Sequence, residues 1–324
     1  MPTQLAADVA TSFAVVPEPI TLSGLLHPIT QDIFLTEYWQ SRPLLICNRQ
    51  GHRGFGDLFP WKRLNEVLAQ YPMLPPRMML FQRGHQVAPR EYIDTEQEPL
   101  RRIMPGRLNT LLSRGATLIL NHADQLYEPL RLLMREFEKL LRIPIQANLY
   151  AAWGKDEAFP VHWDEQHTFI VQLAGEKQWT IYPPTCEAPI KSMRSEIPWP
   201  TGTPWLSHVI SAGECLYVPR GWWHLVEPVG SVTLHLTITC DMPTGMSLMK
   251  WLFTRLSETE EMRRDVPLST QEDGQYMAAI KTVLDSILSD DRLLDEFWST
   301  SFNRTSKVGY PALPDLSENG PDGA

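Results

Sequence analysis

The stretch from Phe159 to Pro184, FPVHWDEQHTFIVQLAGEKQWTIYPP, limits what this chain can fold into more than any other. It opens with His162-x-Asp164 and carries Lys177 where the next strand reads as beginning. Residues i and i+2 of a strand share a face, so the His162 imidazole and the Asp164 carboxylate point the same way. Further on comes GECLYVPRGWWHLVEP. Gly213 to Gly221 reads there as turn, strand and turn, with His224 following as another strand begins. These segments predict the walls of a small β-barrel built around one divalent metal.

The predicted ligands are His162, Asp164 and His224. Two imidazoles and one carboxylate leave the opposite face of a metal open, a geometry that suits non-haem Fe(II) oxygenases. The competing reading of a histidine in an apolar strand is a satisfied core or surface residue, and it suits His167 and His208. It does not suit Asp164, which lies between Trp163 and an apolar strand, where an unpaired carboxylate is costly without a cation.

HWDEQHTFIVQLAGEKQWTIYPP followed by LYVPRGWWH resembles the JmjC branch of the Fe(II)/2-oxoglutarate oxygenases, nearest to its ribosomal-oxygenase subgroup of protein hydroxylases. The likeness covers roughly Ile145 to Asp241, and FLTEYWQSRPLLI extends it upstream. It implies a mainly β fold with helical additions: a double-stranded β-helix (jelly-roll, cupin-type) core, N-terminal helices and a helical C-terminal extension. It implies Fe(II), 2-oxoglutarate and O2 as cofactor and co-substrates, with iron on His162, Asp164 and His224. Lys177, fifteen residues after the first ligand, would pair with the distal carboxylate of 2-oxoglutarate. Asn148, Thr168 and His235 match polar positions lining that pocket. Related halogenases carry a small residue in place of the metal carboxylate; Asp164 is present here, which favours hydroxylation.

Each assignment has a plainer counterpart. Lys177 has a lesser reading as the solvated corner of a hairpin Ala174-Gly175-Glu176-Lys177, and Asn148 reads as readily as a strand-edge amide. In SVTLHLTIT, Thr233, His235 and Thr237 form one face and Val232, Leu234, Leu236 and Ile238 the other. A polar face turned inward means a wet or ligand-filled lumen, and turned outward only solvent. The sequence leaves both open.

The 324 residues suffice for one large domain and a smaller one, and 43% hydrophobic with 21% charged content is that of a globular protein. A net charge of -9 argues against broad attraction to nucleic acid. The four cysteines, Cys47, Cys186, Cys215 and Cys240, form no CxxC pair and read as reduced thiols. With no membrane-length apolar run and no secretory leader, the expected compartment is the cytosol.

In order, 1–19 is expected to be a loose leader, 20–241 the catalytic domain, 242–302 a helical region and 303–324 a flexible tail. Upstream of the barrel we expect helices over Asp32–Gln40, Trp61–Leu68 and Arg107–Leu112, and one capped by Asp124 that runs to Leu141 with Leu130, Leu132, Leu133, Phe137, Leu140 and Leu141 on its apolar face. Strands are expected at Leu44–Cys47 and Ala116–Asn121, and a hairpin pairing Met78–Gln82 with Glu91–Ile93. Glu187 to Leu206 reads as a loop over the barrel mouth. Beyond Asp241, Leu248, Met249, Leu252, Phe253 and Leu256 fall on one helical stripe; the resemblance implies that such helices make a homodimer. The subgroup's winged-helix module lacks a visible pair of wing strands here. The expected activity is hydroxylation of a protein or peptide side chain. The alternatives are an oxygenase that tailors a small molecule or natural-product peptide, and a non-catalytic metal-binding cupin-like module.

Overall fold

Gly175 decides the shape of the sheet. It sits at φ +66°, and a Cβ there would lie 2.0 Å from the carbonyl oxygen of Val232. Only glycine tolerates both conditions, so the long strand through it bends sharply while the facing strand presses against it. The computed structural model describes residues 20–47, 54–70, 73–94, 102–154, 159–268 and 273–306. Its strands are β1 (Leu44–Ile46), β2 (Met78–Gln82), β3 (His85–Gln86), β4 (Ile93–Asp94), β5 (Arg102–Ile103), β6 (Thr117–Leu120), β7 (Ile145–Ala152), β8 (His167–Tyr182), β9 (Leu206–Ser211), β10 (Cys215–Val218) and β11 (Trp223–Cys240). One antiparallel sheet runs β1-β10-β8-β11-β7-β6-β2-β3, with β9 also paired to β8, while β4 and β5 pair separately.

β8 and β11 pair on both sides of the corner, from His167 opposite Cys240 to Tyr182 opposite Trp223. The register slips between Val229 and Leu234, across from Gly175. One side of β8 takes β10 before the corner and β9 after it, so the sheet folds over itself into a jelly-roll. The corner also inserts one residue into the alternation. Before it Thr168 and Ile170 face the lumen; after it Lys177 and Trp179 do. A one-residue slip exchanges the two faces of a strand, and here it places Lys177 inside.

The main core lies between the outer face of this sheet and the N-terminal helices. Phe34 and Phe137 meet Phe169 at ring-centroid distances of 5.4 and 4.9 Å. Helix Glu128–Leu141 buries Leu130, Leu133, Met134, Phe137 and Leu141, which recur at the helical period and make one stripe. Each such side chain contributes about 2 kcal/mol by leaving water. Leu132, expected on the same face, is instead 42% exposed.

Several expectations need correcting. Asp124 does not cap that helix. It lies in a 3-10 turn, Ala123–Gln125, and its Oδ1 accepts from the Ala147 amide at 2.9 Å. β2 does not pair with Glu91–Ile93, because Arg83 and Gly84, both at positive φ, turn it tightly onto β3. Ala174 to Lys177 is not a hairpin corner, since β8 bends there without reversing. The C-terminal stripe divides: on helix Gly245–Leu256, Leu252 is buried while Met249 and Phe253 are exposed. Helices Asp273–Leu288 and Leu293–Ser306 follow, the latter passing the boundary expected at 302. Among the described residues no strand follows Cys240. The expected leader, and the tail beyond 306, lie outside the described residues.

Candidate metal centre and its cavity

His162 and His224 are held by reciprocal backbone hydrogen bonds, His162 N–H to His224 O at 3.0 Å and His224 N–H to His162 O at 2.7 Å. This isolated bridge sets two imidazoles side by side, with ring centroids 4.3 Å apart. Each Nδ1 lies against a backbone carbonyl, His162 at Pro160 O (2.8 Å) and His224 at Trp222 O (3.2 Å). A carbonyl can only accept, so each Nδ1 carries the proton and each Nε2 keeps its lone pair free to donate to a metal. Asp164 closes the set, its Oδ2 being 3.6 Å from His224 Nε2. The three ligand atoms lie within 4.8 Å of one another. Burial, with the His162 ring beside it, pulls His224 down to about 4, while Asp164 acts the other way. The donor set fits a borderline divalent cation such as iron(II): two neutral imidazoles and one carboxylate, oriented before any ion arrives.

These residues open onto a cavity of about 280 Å³. Lys177, Thr168 and His235 all line it. Lys177 is 5% exposed, and among the described residues its ammonium has no hydrogen-bonding or ion-pair partner. Burial lowers it to about 7. His235 stacks on Tyr150 at 4.8 Å, and burial first, then the charge of Lys177, holds it well below the usual histidine range. Its Nδ1 is buried without a hydrogen-bond partner, as is Trp179 Nε1. The inward or outward question for β11 is thereby answered: His235 and Thr237 face the cavity, while Leu234, Leu236 and Ile238 face the main core.

Asn148 is not brought to the cavity. Its Oδ1 accepts from the His122 amide at 3.0 Å, and Tyr150 lines the cavity from that strand. The sequence reading also missed Arg194. This residue of the Glu187–Leu206 loop reaches back, donating from Nη2 to Trp163 O at 3.0 Å with its guanidinium 5.2 Å from the Trp163 ring centre. Arg194 forms part of the cavity wall. No local pattern marked Tyr150 or Arg194, because their position depends on the corner and on the path of the loop. His167 follows the plain reading: it is buried, and its Nδ1 accepts from the Arg220 amide at 3.2 Å.

Residues 120–248 match the family model described as JmjC domain. This stretch resembles a JmjC domain. The match begins at the end of β6 and includes β8 and β11, which carry Lys177 and His224, and the segment before β8 that carries His162 and Asp164. Among curated relatives, the bifunctional lysine-specific demethylase and histidyl-hydroxylase NO66 of Drosophila persimilis is 27% identical over 259 residues, 76% of this chain and 36% of that protein. Ribosomal oxygenase 1 of Danio rerio is 25% identical over 295 residues, 82% of this chain and 52% of that protein. The chain thus spans between about a quarter and a half of the curated relatives it matches. Among solved structures, E. coli YcfD superposes with a TM-score of 0.61 at 15% identity, covering 90% of this chain and 76% of that one. The ribosomal oxygenase YcfD in complex with cobalt and 2-oxoglutarate gives 0.58 at 14% identity, with the same coverage. At that identity the likeness establishes the fold alone, a jelly-roll with helices before and after it.

Proposed function

We propose that this protein is an Fe(II)- and 2-oxoglutarate-dependent hydroxylase acting on an amino-acid side chain of a protein or peptide. The observation that carries the reading is Lys177, a buried cation without a counter-ion, in the same cavity as the metal triad. A buried charge is costly unless paired, so the cavity is built for an anion. A dicarboxylate with one end on the metal and the other on Lys177 answers that need. Thr168, His235, Tyr150 and Trp179 would surround it, leaving His235 Nδ1 and Trp179 Nε1 as further polar atoms for it to meet.

Iron(II), when bound, supplies the O2 activation and the 2-oxoglutarate decarboxylation that hydroxylation requires. The chain's own part is positional. His162, Asp164 and His224 occupy one side and leave the other open, Lys177 fixes the co-substrate, and the inner faces of β8 and β11 exclude water. Arg194 and Phe159, at the Asp164 side, would meet the incoming side chain. NO66 is described as a histidyl-hydroxylase and demethylase, and YcfD as a ribosomal oxygenase, which supports a protein substrate. We place the protein in the cytosol, where both small-molecule requirements are in supply. Among the described residues no helix is long and apolar enough to cross a membrane. We further propose a homodimer through helix Gly245–Leu256, where Met246 and Phe253 are 73% and 74% exposed.

The test is succinate formation from 2-oxoglutarate with iron(II) and O2, followed by a peptide screen for added oxygen. Wild type should turn over, whereas His162→Ala and Asp164→Ala should each lose activity while melting like wild type. Metal and 2-oxoglutarate binding without succinate would reduce the protein to a binding module. Full activity in either variant would remove these residues from the ligand set.

A further inference from the structure

A second convergence of donors lies in the same barrel, away from the triad. Cys47, His208 and Glu214 place a thiol sulfur, an imidazole nitrogen and a carboxylate oxygen within 4.8 Å of one another. They come from one strand and the ends of two others. Cys47 follows β1 one residue past the pair Ile46↔Cys215, so it stands opposite Glu214, which immediately precedes β10. His208 lies in β9 opposite Trp179.

Strand alternation fixes the direction of all three. Leu45 and Leu216 are cross-strand partners that pack in the inner apolar cluster, as do Leu206 and Ile210. Cys47 is two residues from Leu45, Glu214 two from Leu216, and His208 two from both Leu206 and Ile210. Residues at that spacing share a face, so all three donors point into the inner cluster rather than out of the sheet. Trp179, the partner of His208, stacks toward His224 at 5.8 Å and so stands between the two groups of donors.

Two further observations point to a ligand. His208 Nε2 is buried and, among the described residues, makes no hydrogen bond. Glu214 is 9% exposed, and its Oε2 lies 3.5 Å from that nitrogen, beyond good hydrogen-bond geometry. Ligands 2.0–2.2 Å from a tetrahedral zinc ion stand about 3.3–3.6 Å apart, which is the separation found here. The Ser211 amide donates to the same Oε2 at 2.9 Å and fixes the carboxylate's orientation.

We propose that Cys47, His208 and Glu214 form a second metal site, selective for a zinc-class cation. A thiolate–imidazole–carboxylate set matches zinc and disfavours magnesium or calcium, which prefer all-oxygen donors. Cys47 and His208 are only partly buried, so the ion can enter from solvent. Binding exchanges the Cys47 thiol proton, released to water, for a metal–sulfur bond, with no change of oxidation state. The ion would clasp the outermost strand β1, three residues long, to β9 and β10. The site makes no use of the oxygenase chemistry, so the two readings stand or fall separately.

Cobalt(II) is a suitable probe because a thiolate ligand gives a near-ultraviolet sulfur-to-cobalt charge-transfer band, whereas the triad offers only nitrogen and oxygen. Titrated anaerobically into reduced, metal-free protein, cobalt should give that band in wild type and in Asp164→Ala, but not in Cys47→Ser. Zinc analysis should find one metal fewer per chain in Cys47→Ser and in His208→Gln than in wild type. In the unmutated protein, zinc should slow alkylation of Cys47 by iodoacetamide, read by peptide mapping, by about tenfold or more. Lack of a sulfur band in wild type, its survival in Cys47→Ser, or alkylation of Cys47 indifferent to zinc would each overturn the proposal.

Discussion

Lys177→Met should make the ligand-free protein more stable. The ammonium is buried without a partner, and its value falls from 10.5 to about 7. At 1.36 kcal/mol per pH unit that gap is a cost of about 5 kcal/mol at most, present in full below neutral pH. A methionine fills much of the lysine stem's space without the charge. Replacing buried charge by apolar groups recovers about 1–4 kcal/mol in other proteins, so a gain of about 2 kcal/mol is expected, or roughly 5 °C in Tm. The sign of the pH dependence follows from the depressed value. From about pH 7 toward 10.5 the unfolded chain holds a proton that the folded chain has lost, so wild-type stability climbs with pH. The variant lacks that climb, and its advantage should be largest at or below neutral pH and fade in alkali. Urea melts of metal-free protein from about pH 6 to about pH 9 would measure this. With cobalt(II) present, 2-oxoglutarate should stabilise wild type but bind the variant tenfold or more weakly, a charge-assisted bond being worth about 1.5–3 kcal/mol. A variant less stable than wild type at neutral pH, or a difference flat across the range, would refute the reasoning.

Gly175→Ala should cost on the order of 3 kcal/mol, because it combines positive φ with a 2.0 Å approach to Val232 O; thermal melts would show it, and an unchanged Tm would contradict the corner. Arg194→Ala should leave 2-oxoglutarate turnover without substrate near wild type while raising KM for the peptide, read by steady-state kinetics. Met249→Asp with Phe253→Asp should give a folded monomer by light scattering, whereas Leu252→Asp, at 4% exposure, should destabilise the domain itself.

The triad was legible because its geometry is local: i, i+2 spacing on one short segment, and a histidine just after a Gly-Trp-Trp turn. Lys177 was legible only as one of two options, since the alternation through HTFIVQLAGEKQWTIY breaks at Gly175, and the break decides which residues turn inward. Asn148 misled because its polarity serves the His122 amide, a contact 26 residues away in the chain. The plain reading of His208 was incomplete for a related reason. Its neighbours Cys47 and Glu214 are distant in sequence, and only pairing across β9, β8, β10 and β1 unites them. The C-terminal stripe showed that a period of apolar residues does not reveal how wide the covered strip is. Leu252 is covered, and Phe253, one position round the helix, is not.

Along residues 169–173 and 234–240, β8 and β11 turn one face to the cavity and the other to the main core, and they pair on both sides of the corner. The part of the cavity wall that these two strands build therefore cannot open alone. An amide in the middle of this ladder can meet solvent only when the whole jelly-roll comes apart, so its hydrogen exchange should proceed by global opening. Anything that settles in the cavity should slow exchange along both strands by the same factor, far beyond the residues it touches. A site assembled from loops would instead report its occupant only nearby.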